Sequence, residues 1–258
     1  MEWLSLDPAL AAFLLGTAFC AGLVDAIAGG GGLLMLPALL SAGVPPHLAL
    51  GTNKLSGTFG TYTAARLCLT CRVVRPHLLW LSALATFNGA LLGTLCAWLV
   101  SAAWLHKLLP LVIIAAAVYV LLVRPHADAT TPSFDSPPPR RRSLILGHAL
   151  GFYDGFIGPG AGVFWTLGAL GFYRVNLVEA ACIARSMNFV SNLVALTTFA
   201  WLGSVDLSLG LGLGAALMVG AYVGAHSALR YGAALIRPVF ISVVFITAGR
   251  LAWLAWFQ

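Results

Sequence analysis

Charge is what this sequence has least of. Its 258 residues include only 14 Lys or Arg and 8 Asp or Glu, 9% in all, where a soluble domain carries about 25%. So few charges cannot solvate a globule in water, and a soluble enzyme is excluded. Catalytic signatures are missing too. No Walker A loop is present, so this chain does not draw on ATP directly, and neither H-E-x-x-H nor G-x-S-x-G occurs. The six histidines are scattered, at 47, 77, 106, 126, 148 and 226. The expectation is a protein that is not an enzyme and that needs no cofactor or metal. The first seven residues contain no Lys or Arg, so they lack the basic start of a cleavable signal peptide, and the first membrane helix is expected to direct insertion. Cys68 and Cys71 form a C-x-x-C with no further metal ligand nearby, and both read as packing residues.

What the chain does have is apolar length. It is 60% hydrophobic with a mean hydropathy of +0.94, and several apolar runs approach the roughly 20 residues that cross a bilayer as a helix. Arg72 with Arg75, Arg140 to Arg142, and Arg230 with Arg237 cluster in loops. That is the positive-inside pattern, so the net charge of +6 calls for no nucleic-acid partner. Trp3, Trp80, Trp98, Trp104, Trp201, Trp253 and Trp256 fall near span ends and read as an interfacial belt.

Apolar runs between turn signals give eight expected spans, at 8–27, 48–67, 77–100, 104–123, 143–157, 177–202, 207–228 and 236–257. Two pieces, 33–42 and 163–173, are too short to cross a core of about 30 Å unaided, so they read as half-helices. Each follows a glycine-rich break. One reads Gly22-Leu-Val-Asp25-Ala-Ile-Ala-Gly29-Gly-Gly-Gly32, the other Gly151-Phe-Tyr-Asp154-Gly-Phe-Ile-Gly158-Pro-Gly160-Ala-Gly162. Asp25 and Asp154 stand 129 residues apart, half the chain, which marks an internal duplication. The expected architecture is all-α and polytopic: a first repeat over 1–123, a polar proline-rich cytoplasmic linker over 124–142, and a second repeat over 143–258. Loop charges orient the halves consistently if each crosses five times, which makes them inverted repeats.

Function is expected where this apolar pattern breaks. Broken backbone at membrane depth must be buried in protein or line a cavity, and helix starts present free N–H groups that favour an anion. Gly30, Gly31 and Gly160 are therefore candidate substrate ligands; small-residue helix packing is the competing reading. Lys54 and Arg185 are cations inside apolar helices, where they are costly unless used. With Asn53, Asn188 and Asn192 they are read as an electropositive pocket for an oxyanion. Snorkelling to an interface, pairing of Arg185 with Glu179, and interhelical hydrogen bonding by the asparagines are the alternatives. Asp25 and Asp154 are candidates for a coupling proton, or else cap the following half-helix or pair with the two cations.

At these motifs the chain resembles a known family. Gly22 to Leu39, then Ala49-Leu-Gly-Thr-Asn-Lys-Leu, Asp154-Gly-Phe-Ile-Gly-Pro-Gly-Ala-Gly and Met187-Asn-Phe-Val-Ser-Asn-Leu, are similar to the TauE/SafE family of sulfite exporters, over about 13–251. The resemblance is to its branch of bacterial inner-membrane transporters. It implies a multi-pass protein of the cytoplasmic membrane, surrounded by lipid, that moves a sulfur oxyanion such as sulfite or an organosulfonate on an ion gradient. A homodimer is left open. The proline-rich linker departs from the family, as does Arg185, which stands where many relatives carry Lys. A passive anion or small-solute channel and a non-transporting membrane subunit are the alternative functions.

Overall fold

The computed structural model describes residues 7–122 and 138–231. Those residues fold into nine α-helices, with no strand among them. The first is α1 (Pro8–Ala28), opened by Pro8 and by the Asp7 carboxylate, which accepts from the Ala9 N–H at 3.1 Å. It stops at Gly29, whose φ of 79° is a left-handed conformation that glycine adopts without strain. Then follow α2 (Gly32–Ser41), α3 (Pro46–Thr70), a 3-10 turn at Pro76–Leu78, α4 (Trp80–Leu99) and α5 (Ala102–Leu122). The second half contains α6 (Arg140–Phe156), α7 (Ala161–Gly168) running into a π-helical turn (Ala169–Tyr173), α8 (Leu177–Trp201) and α9 (Leu207–Tyr231).

Seven expected spans and both short pieces therefore exist, each within a few residues of its expected limits. The span at 236–257, most of the linker and the outermost tryptophans lie outside the described residues. One boundary is corrected. Arg140 to Arg142 were expected in the linker but form the first turn of α6, because Pro139 supplies the N-cap position and Arg142 donates to the Phe172 carbonyl at 2.8 Å. By length and composition α1, α4 and α9 can cross a membrane on their own. The 25-residue helices α3 and α8 carry Asn53 with Lys54 and Arg185 with Asn188, respectively, and they pack against each other.

The two halves interlock. The most extensive packing joins α4 to α6 and α1 to α9, each pair drawn from opposite halves. Glycine permits both contacts: a Cβ at Gly22 would lie 2.0 Å from the Leu217 carbonyl oxygen, and one at Gly155 would lie 2.2 Å from that of Ala90. At Gly22 and Gly155, then, small-residue helix packing is what the glycine does. The half-helix α2 is enclosed, with Leu33 to Leu39 all buried. Trp80, Trp98, Trp104 and Trp201 are exposed at helix ends.

Cys68 is not a plain packing residue. It forms a disulfide with Cys182, tying α3 to α8 with 5.6 Å between Cα atoms. The sequence separation of 114 between the two cysteines hid the pairing from the local C-x-x-C reading. Cys20, Cys71 and Cys96 are free.

Candidate functional site

Both glycine breaks converge on one small polar cavity of about 40 Å³. Gly29 to Gly31 interrupt the chain between α1 and α2, and Gly158 to Gly160 interrupt it between α6 and α7, with φ of 93° at Gly158 and 80° at Gly160. The breaks touch: a Cβ at Gly29 would fall 2.8 Å from the Gly162 carbonyl carbon. Only residues without side chains let the two turns meet here. The central helices complete the walls. From α3 come Asn53, Lys54, Gly57 and Thr61, and from α8 come Asn188 and Asn192.

Of the residues proposed from sequence, Asp25, Gly31, Asn53, Lys54, Asp154, Gly160, Asn188 and Asn192 all line this cavity. Gly30 and Arg185 do not line it. Lys54 is 1% exposed, and its Nζ donates to both the backbone carbonyl and the carboxylate of Asp154, the latter at 2.6 Å. This is a buried ion pair between the central helix of one half and the broken helix of the other. Arg185 takes the corresponding position on the opposite side. Its guanidinium donates to the Ala26 carbonyl at 3.1 and 2.8 Å, the Asp25 carbonyl at 3.2 Å and the Ala181 carbonyl at 2.7 Å. Each cation thus sits on the carbonyl end of the broken helix in the other half, where the helix dipole is negative. Glu179 forms a capping box with Asn176 at the start of α8.

The two carboxylates behave differently. Asp25 Oδ1 accepts from the Gly31 N–H at 3.0 Å, so this residue caps the half-helix that follows it. Asp154 faces Lys54 through Oδ1 and accepts from the Ser191 hydroxyl through Oδ2. Capping and ion pairing, which the sequence left as alternatives, both occur, one in each half.

Sequence reasoning left two functional contacts unassigned. Ser191 had no role assigned from the sequence, although it lies one turn beyond Asn188 on the same helical face. Tyr153 donates to the Pro159 carbonyl at 2.6 Å and pins the second break. Its position next to Asp154 was the one available signal.

Apolar helices, a buried ion pair and a polar cavity between two broken helices define an all-α polytopic membrane protein. The family model described as "Sulfite exporter TauE/SafE" matches residues 14–251, and the chain belongs to this family. It is 36% identical over 256 residues to a probable membrane transporter protein of Haemophilus influenzae, covering 96% of this chain and 97% of that one. A Sinorhizobium relative named probable membrane transporter protein ORF9 is 38% identical over 242 residues, covering 94% and 92%. The probable membrane transporter protein YfcA of Escherichia coli K12 is 34% identical over 253 residues, covering 96% and 91%. No solved structure matches significantly.

Proposed function

We propose that this protein is a secondary transporter of a small sulfur oxyanion, sulfite or an organosulfonate, across the cytoplasmic membrane. The cavity carries this reading: it lies where both half-helices begin, lined by amide side chains and by polar backbone that lipid would not tolerate. By the measure that allots about 10–15 Å³ to one water, its volume admits about three water-sized groups. That favours sulfite over larger sulfonates in this conformation. The family's printed description and the relatives named as membrane transporters point the same way.

In this reading the halves are inverted repeats that move against each other around the cavity, as in other transporters with broken helices. Lys54 lines the cavity as the partner of Asp154, while Arg185, outside its wall, holds the carbonyl end of α1 in place. Asp25, which has no cation bonded to its carboxylate among the described residues, is the better placed proton carrier, because neutralising it removes a charge that repels an entering anion. Asp154 is held by Lys54 and Ser191.

The test is flux into proteoliposomes of sulfite, sulfoacetate, thiosulfate and sulfate, with and without a pH gradient. Gradient-dependent flux of at least one sulfur oxyanion is expected, with loss in Lys54→Ala and Arg185→Ala. Full flux in both variants would sink the proposal. Flux indifferent to the gradient and to Asp25→Asn and Asp154→Asn would make the protein a channel.

A further inference from the structure

The two half-helix starts are not equivalent as anion sites. At the start of α2 the Gly31 N–H is already taken by the Asp25 carboxylate, at 3.0 Å. An anion arriving there would meet the Asp25 carboxylate on one of the donors it needs, repelled whenever that carboxylate is charged. At the start of α7 the corresponding carboxylate, Asp154, is engaged by Lys54 and Ser191 instead of by a backbone N–H of the break. Its charge is neutralised by the Lys54 ammonium 2.6 Å away.

A second observation falls at the same spot. Asn188 is 5% exposed, lines the cavity and has a side-chain oxygen with no hydrogen-bond partner. Its amide nitrogen lies 2.7 Å from where a Gly162 Cβ would stand, directly against the first turn of α7. A buried side-chain oxygen without a partner is costly in a finished core. The other end of the same amide, its nitrogen against the first turn of α7, carries two N–H groups that can be offered to an oxyanion.

We propose that the transported anion is held at the start of α7, by the N–H groups of Gly160 and Gly162 and the Asn188 side chain, the Ala161 N–H being taken by the Gly158 carbonyl, while Asp25 fills the corresponding place at α2 as an internal carboxylate. This rests on the anion-transport reading and adds to it which half-helix binds. Asp25 then limits affinity by repulsion across the cavity. Asn53, whose amide nitrogen lies 3.7 Å from a Cβ position at Gly32, belongs to the α2 side.

Equilibrium binding of sulfite to the purified full-length protein in nanodiscs, by calorimetry, separates the possibilities. Asn188→Ala is expected to weaken binding about tenfold or more, the scale of losing charge-assisted hydrogen bonds, and Asn53→Ala to weaken it less. Asn188→Asp keeps the shape of the side chain while replacing its donors with acceptors, and is expected to abolish binding in protein that remains monodisperse. Asp25→Asn is expected to tighten binding. A loss at Asn53 equal to or greater than that at Asn188, or weaker binding in Asp25→Asn, overturns the assignment to α7 and leaves the transport reading standing. Wild-type protein that binds none of sulfite, thiosulfate or sulfate overturns both.

Discussion

Arg185 of α8 donates twice to the carbonyl of Ala26, the third-last residue of α1, and so closes the end of a helix that belongs to the other half of the chain. Four guanidinium contacts to three carbonyls need a planar fork of donors, which an ammonium cannot reproduce. Arg185→Lys is therefore expected to lower stability by about 1–3 kcal/mol through carbonyls left without partners. Thermal unfolding in detergent checks it, and an unchanged midpoint would show that charge alone suffices.

The buried pair between Lys54 and Asp154 predicts a strong coupling. Removing either partner leaves an uncompensated ion in the core, so Lys54→Ala and Asp154→Ala should each cost about 3–5 kcal/mol. The double variant should cost much less than the sum, because it leaves neither charge behind. A double-mutant cycle on unfolding midpoints measures this directly. Additive losses would mean that the two side chains act independently.

The fold could be read from the sequence wherever one helix suffices to explain the residues. Hydropathy and turn signals placed Pro8–Ala28 within one residue and Leu207–Tyr231 within three, because a helix that crosses the bilayer must be apolar throughout its crossing length. The repeated Asp-x-x-x-Gly spacing likewise pointed to the breaks. What was not legible depends on contact between the halves. That Lys54 would reach Asp154, 100 residues away, and that Arg185 would settle on carbonyls outside the cavity, are matters of packing. The different postures of Asp25 and Asp154 are hidden for the same reason: matching sequence motifs do not say which carboxylate turns to a cation and which caps a helix.

The link between Cys68 and Cys182 leaves three thiols to react. Maleimide labelling of unreduced protein should modify Cys20, Cys71 and Cys96 only, and peptide mapping should recover 68 joined to 182. Because the bridge ties α3 to α8 across 114 residues, replacing both cysteines with alanine should lower stability by about 2–4 kcal/mol. Five reactive thiols in unreduced protein would refute the pairing.

Asp206 gives a stability prediction with a defined pH direction. It precedes α9, where its carboxylate accepts from the Leu209 N–H at 3.0 Å and the Ser208 hydroxyl at 2.8 Å, while its own N–H donates to Thr52 on α3 at 3.1 Å. Burial works to raise its pKa, but the hydrogen bonds from Leu209 and Ser208 help to hold it below the ordinary value of 3.8. A carboxylate depressed in the folded state stabilises the fold above its unfolded pKa, and that contribution is lost as the pH falls through the folded value. The cap should therefore be fully effective at neutral pH and fail only below 3.8. Asp206→Ala should cost about 0.5–2 kcal/mol at neutral pH, the usual worth of an N-cap. Asp206→Asn retains a capping oxygen, so it should cost less at neutral pH and remove this residue's share of the acid sensitivity. Melting curves of the three proteins across that range decide the matter: parallel curves for wild type and Asp206→Asn would mean that the charge contributes nothing.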